Sequence, residues 1–157
     1  MHDIVPVLFL TAIAILGWTH GALPERRGAV ALLILVMLGL ARLGLGGPAK
    51  GTLDMVGLSL DLAAFLFFGH LALHAWRVWP IWAASLQLLA VLAHIVRVLE
   101  IEMDPVAYLI MRSGPSYFMA VALLIGTISH IRLTRAGVNR PCWRDWSPPS
   151  HPTMQMR

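Results

Sequence analysis

Long apolar blocks constrain this chain more than any other feature of its sequence. A helix needs about 20 mostly apolar residues to cross the hydrocarbon core of a membrane. Blocks near that length, separated by short polar or proline-containing segments, cover residues 4–23, 28–45, 55–76, 80–99 and 115–134. Only 13% of the residues are charged, against about 25% in an average soluble domain. We therefore predict an all-α integral membrane protein, a bundle of about five transmembrane helices.

The second block, 28–45, is the shortest of the five, and it leaves a bundle of four crossings as the alternative. The segment before the fifth block is a separate feature. There an acidic segment is followed by a short apolar stretch at 106–112, which we expect to lie along the membrane surface. The fifth helix is then expected to run from Pro115 to about Thr134.

The basic residues predict the orientation of the chain, since cytoplasmic segments of membrane proteins carry an excess of arginine and lysine. Arginines concentrate at the end of the fifth block and beyond it: Arg132, Arg135, Arg140, Arg144 and Arg157. Five crossings then give an N-out, C-in arrangement, in which 1–134 form the transmembrane bundle and 135–157 an irregular cytoplasmic tail. The net charge is +4, but the basic residues mark block ends and form no stripe, which argues against nucleic-acid binding.

Polar side chains inside the blocks form a first candidate site, predicted in the outer half of the membrane: Arg42, Asp61, Gln87, His94 and Arg97. A rise of about 1.5 Å per residue puts Asp61, His94 and Arg42 about 21 to 24 Å from the cytoplasmic ends of their helices. Gln87 and His94 are seven residues apart, so they share a stripe that is expected to face Asp61. The set is interpreted as a salt-bridged clamp that fixes helix register, or alternatively as a proton relay or the wall of a small-ligand pocket.

Four histidines form a second candidate layer, nearer the cytoplasmic face: His20, His70, His74 and His130. Histidines on facing helices can ligate haem or a divalent metal. His70 and His74 are four residues apart and project from one side of the third helix, whereas bis-histidine haem needs one imidazole on each side of its plane. The layer is therefore interpreted mainly as structural, with haem or quinone binding as the alternative and no metal site predicted.

Several short motifs resemble a group of small multi-pass proteins of alphaproteobacteria. They are Pro24-Glu25-Arg26, Asp61, Trp79-Pro80-Ile81-Trp82-Ala83-Ala84 with Gln87, Leu92-Ala93-His94, and Pro115-Ser116-Tyr117. The resemblance covers most of the membrane region and not the tail. It implies a bacterial inner membrane and a five-helix layout, and it carries over no catalytic residues.

No motif in the sequence names a reaction. It holds no Gly-x-Ser-x-Gly elbow, no His-Glu-x-x-His zinc helix and no glycine-rich phosphate loop. The leading hypothesis is a non-enzymatic accessory or assembly subunit, with other membrane subunits or further copies of itself as partners within the bilayer. The alternatives are a haem- or quinone-binding redox protein that uses the histidine layer, and a small proton-coupled transporter or channel centred on Asp61.

Overall fold

A computed structural model of the chain describes residues 4–44, 54–99, 105–138 and 141–145. These ranges fold into five helices: α1 (Ile4–His20), α2 (Leu23–Gly44), α3 (Met55–His74), α4 (Trp79–Val98) and α5 (Pro105–Arg135). They contain no β-strand, so the all-α prediction is confirmed for the described part of the chain. Arg140, the acidic segment at 100–104 and the end of the tail at 146–157 lie outside it.

Length and composition single out three helical segments that can cross a membrane. Among the described residues these are Met55–His74, Trp79–Val96 and Gly114–Arg135, while the apolar part of α1, Val7–His20, is shorter. The outward-facing side chains of the helices are largely apolar. The fold is therefore compatible with a membrane protein, and the predicted count of five crossings stays a prediction.

Two antiparallel hairpins, α1–α2 and α3–α4, are joined through α5. Helix α4 packs between α3 and α5, and α5 packs in turn against α1 and α2. Large buried side chains from three helices, α2, α3 and α5, fill the core: Leu32, Phe68, Leu71, Met119 and Leu123. Helices α1, α3 and α5 end at the same side of the bundle where α2 and α4 begin. We call that side the arginine end, after Arg26, Arg27, Arg77, Arg132 and Arg135.

Helix α2 begins five residues earlier than the block that predicted it. The block starts at Gly28, whereas α2 starts at Leu23. Pro24 lies in the first turn of α2, where a backbone N–H has no partner within the helix, so the missing N–H of proline costs nothing. Glu25 lies in the same turn, where a negative charge interacts favourably with the helix dipole. The 22 residues of α2 extend over about 33 Å, which matches the hydrocarbon core of about 30 Å.

Helix α5 runs without interruption through Pro115. The predicted surface stretch at 106–112 and the predicted helix at 115–134 are one helix of 31 residues, so the prediction of two separate segments is wrong. A proline inside a helix removes one hydrogen bond, and its ring collides with the side chain of the residue before it. That residue is Gly114, which has no side chain for the ring to meet.

Candidate functional site

A carboxylate of α3 and two polar side chains of α4 meet inside the bundle. His94 Nε2 lies 3.1 Å from Asp61 Oδ2, and Gln87 Nε2 donates to Asp61 Oδ1 at 3.4 Å. Gln87 and His94 are each 2% exposed, and Asp61 is half-buried. The sequence predicts that the Gln87–His94 stripe faces Asp61, and the structure places both side chains within hydrogen-bond distance of it. We call this set the Asp61 cluster.

The antiparallel α3–α4 hairpin positions this cluster. Because α3 ends at His74 and α4 begins at Trp79, Asp61 and His94 lie about 20 and 22 Å from the arginine end. Two turns of α4 separate Gln87 from His94, so one carboxylate reaches both. The arrangement offers hydrogen-bond donors to a carboxylate about 9 Å from the start of α3, and it joins the two helices through the only imidazole of α4.

Arg42 forms its ion pair at another level. Its guanidinium binds the carboxylate of Asp54, which also caps α3 by accepting from Gly57 N at 2.8 Å. Since α2 begins at Leu23, Arg42 lies about 28 Å from the arginine end, close to the level of Asp54 at about 30 Å. The predicted grouping of Arg42 with Asp61 assumed a later start of this helix. The fifth predicted member, Arg97, is a residue of α4 whose side chain is outside the described part.

The four histidines of the second layer occupy different surroundings. His70 and His74 are exposed on α3 with ring centroids 4.2 Å apart, and His74 Nδ1 bonds to the His70 carbonyl. His20 is exposed at the end of α1, where Thr19 Oγ1 contacts its Nδ1 at 2.7 Å. His130 is half-buried on α5. Among the described residues, no group of three histidine, cysteine or carboxylate side chains is arranged to hold a metal ion.

A buried carboxylate at the arginine end belongs to neither of the two candidate sites predicted from the sequence. Glu25 is fully buried, and its Oε1 accepts from Arg77 Nε at 3.1 Å and from Trp79 Nε1 at 3.2 Å. Its second oxygen, Oε2, is buried without a hydrogen-bond partner among the described residues. We call Glu25, Arg77 and Trp79 the Glu25 cluster. It ties the start of α2 to the α3–α4 connection.

The Trp79 ring also fits between two glycines. A Cβ atom at Gly28 would lie 2.3 Å from Trp79 Cη2, and one at Gly126 would lie 2.4 Å from Trp79 Cδ1. Trp79 is only 5% exposed, so it is a core residue and not the interfacial one expected for a tryptophan at a helix end. The paired glycines of α2 and α5 are the sequence signal for this site, because they leave room for a large ring.

The first part of the tail folds back onto the α3–α4 connection. Trp76 N donates to the Cys142 carbonyl at 3.0 Å, and Arg144 N donates to the His74 carbonyl at 2.8 Å. The Arg27 guanidinium lies 4.7 Å from the centre of the Trp143 ring. Residues 141–145 thus form a strap across the arginine end. The prediction of an irregular tail did not include this contact with the bundle.

Two apolar grooves open on the surface of the bundle. The α4–α5 groove, about 700 Å³, is lined mainly by Trp76, Trp82, Leu86, Phe118, Val121 and Ile125, with Arg77, His130 and Arg144 towards the arginine end. The α2–α3 groove, about 520 Å³, is lined mainly by Ala31, Ile34, Leu60, Ala63, Ala64 and Phe67, with Trp18, Arg26 and Arg27 towards the same end. Both volumes are in the range of sites that hold ligands.

Comparison with known proteins adds no family to this description. No protein-family model, curated protein or solved structure matches the chain. The resemblance to small multi-pass proteins of alphaproteobacteria therefore stays a prediction from the sequence.

Proposed function

We propose that this chain is a multi-pass protein of the bacterial inner membrane, with its arginine end in the cytoplasm. Three segments of sufficient length and hydropathy support the membrane placement. The outward-facing apolar side chains support it too, because lipid tails solvate them and water does not. The positive-inside rule supports the orientation, since the arginine end holds Arg26 and Arg27 of α2, Arg77 of the α3–α4 connection, and Arg132 and Arg135 of α5.

Within that membrane, we propose that the protein is a non-enzymatic accessory subunit of a larger complex. The observation that carries this proposal is the α2–α3 groove, whose walls are almost entirely apolar. The other consecutive helices pack along each other as hairpins, whereas α2 and α3 make few contacts. A helix of a partner subunit is the occupant that fits a groove between two membrane helices.

The residues of the groove favour a helix over disordered lipid chains. Small side chains allow the backbones of membrane helices to approach closely, and Ala31, Ala63 and Ala64 lie in the groove walls. On α2 the groove extends from Leu23 to Leu35, which is about 18 Å, or more than three helical turns. In this proposal the Asp61 cluster holds α3 against α4, so that the groove keeps its shape.

A photo-reactive amino acid at Ala63, compared with one at Ala41, tests the proposal. Both alanines are exposed, but Ala63 lies in the groove and Ala41 lies on α2 outside it. Irradiation of native membranes should cross-link Ala63 to one discrete protein and Ala41 to lipid alone. Equal yields of the same protein adducts from both positions would contradict a partner in the groove.

A second function, a proton-coupled transporter or channel, is favoured by the Asp61 cluster. A half-buried carboxylate bonded to a buried imidazole can carry a proton within a membrane, where ionisable residues often mark proton pathways. In liposomes that contain a pH dye, the wild-type protein should then conduct protons, Asp61→Asn should abolish the flux, and Asp54→Asn should retain it. A wild-type protein that moves no protons, with an Asp61→Asn variant that is merely less stable, would leave the clamp as the role of the cluster.

A further inference from the structure

The α4–α5 groove differs from the α2–α3 groove in having polar groups along one end. Arg144, His130 and Ser129 line it at the arginine end, while Phe118 and Leu86 line it deeper in the bundle. A ligand that matches both ends has an anionic head and an apolar tail. We propose that this groove binds an anionic glycerophospholipid, with the phosphate at Arg144 and one acyl chain along α5.

The dimensions of the groove suit a single acyl chain. From Leu133 to Phe118, the lining residues extend over about 22 Å of α5. One leaflet of the hydrocarbon core is about 15 Å deep, half of about 30 Å. A chain in the groove therefore reaches its full leaflet depth while the headgroup stays beside the strap. The Trp76 and Trp82 rings lie at that level, where tryptophans favour the boundary between headgroups and chains.

Arg144 supplies the positive charge at the arginine end of the groove. Arg144 is half-buried and lines the groove. The backbone bond from Arg144 N to the His74 carbonyl fixes the residue, and its guanidinium lies 5.7 Å from the centre of the Trp76 ring. A phosphate in the groove would form a charge-assisted hydrogen bond with the Arg144 guanidinium.

The charged residues that line the groove are two arginines, Arg77 and Arg144. Arg77 is paired with Glu25, so its charge is largely compensated. Asp145, the acidic neighbour of Arg144, is exposed and does not line the groove. Basic pockets between membrane helices on the cytoplasmic side are known to hold anionic headgroups. The inference uses the membrane placement proposed above, but it does not depend on the accessory role or on the α2–α3 groove.

Native mass spectrometry of the full-length protein in detergent tests this inference. Phosphatidylglycerol and phosphatidylcholine with the same acyl chains are titrated separately, and the bound lipid is counted. We expect the wild type to bind one phosphatidylglycerol about fivefold more tightly, the effect of one basic residue on an anionic lipid. Arg144→Gln should remove the preference, and Arg135→Gln, the same change at an exposed residue outside the groove, should keep it.

A second variant tests the position of the chain independently of Arg144. Ala122 lines the groove, so Ala122→Phe should weaken both lipids to a similar extent, whereas Ala12→Phe on the exposed face of α1 should change neither. Equal affinity of the wild type for the two lipids would overturn the proposal. Equal losses in the Arg144 and Arg135 variants would also overturn it. Displacement of phosphatidylglycerol by an equal concentration of oleate would show that the site takes a fatty acid instead.

Discussion

Removal of the Glu25 carboxylate should destabilise the bundle more than any surface substitution. Glu25→Ala leaves the Arg77 guanidinium, 12% exposed, and the buried Trp79 N–H without their shared acceptor. Loss of one partner from a buried ion pair costs about 3–5 kcal/mol, because the remaining charge stays desolvated. We expect a loss of that size for Glu25→Ala, and a smaller loss of about 1–3 kcal/mol for Glu25→Gln, which keeps an acceptor oxygen.

The free energy of unfolding can be measured by titration with a denaturing detergent in mixed micelles, followed by circular dichroism. Arg135→Ala, at an exposed residue of the last turn of α5, is the control and should change stability by less than about 0.5 kcal/mol. The double variant Glu25→Gln/Arg77→Met should lose less than the sum of its single variants, by about 0.5–3 kcal/mol. A Glu25→Ala variant as stable as the control, or strictly additive losses, would refute the pairing of these groups.

Two further predictions concern helix packing and the outer ion pair. Gly28→Ala should lower the free energy of unfolding by about 1–3 kcal/mol, because the new Cβ would overlap the Trp79 ring. Gly39→Ala in the same helix meets open space and should not destabilise the protein. Thermal unfolding in detergent compares the two variants, and equal effects would contradict the packing. Asp54→Asn should retain the cap of α3 but lose the charge that pairs with Arg42. Asp54→Ala should lose both, so it should be less stable than Asp54→Asn by about 1 kcal/mol. Equal melting temperatures for the two variants would argue against the cap.

Helical periodicity is the reason that part of the Asp61 cluster could be predicted from the sequence. A spacing of seven puts Gln87 and His94 on one stripe, and the short connection between α3 and α4 turns that stripe towards Asp61. The level of Arg42 was misjudged because its helix begins at Leu23, before the charged residues that suggested a boundary. A charged residue is readily tolerated in the first turn of a helix when a distant partner pairs with it.

The arginine end depends on contacts between residues far apart in the chain. Glu25 bonds with Arg77 and Trp79, more than fifty positions later, and residues 141–145 pair with the end of α3. Neither spacing nor hydropathy carries information about such partners. The α4–α5 groove has the same origin, since it exists only once two helices and the strap are in place.

Affinity purification of the tagged protein from native membranes in mild detergent tests the accessory-subunit proposal most directly. Mass spectrometry would identify the retained proteins, and quantification would give their stoichiometry. We expect recovery with one or more other membrane subunits in fixed ratio, and loss of that ratio when Ala63→Phe fills the α2–α3 groove. Recovery of the protein alone, or as a stable homo-oligomer that Ala63→Phe leaves intact, would contradict it.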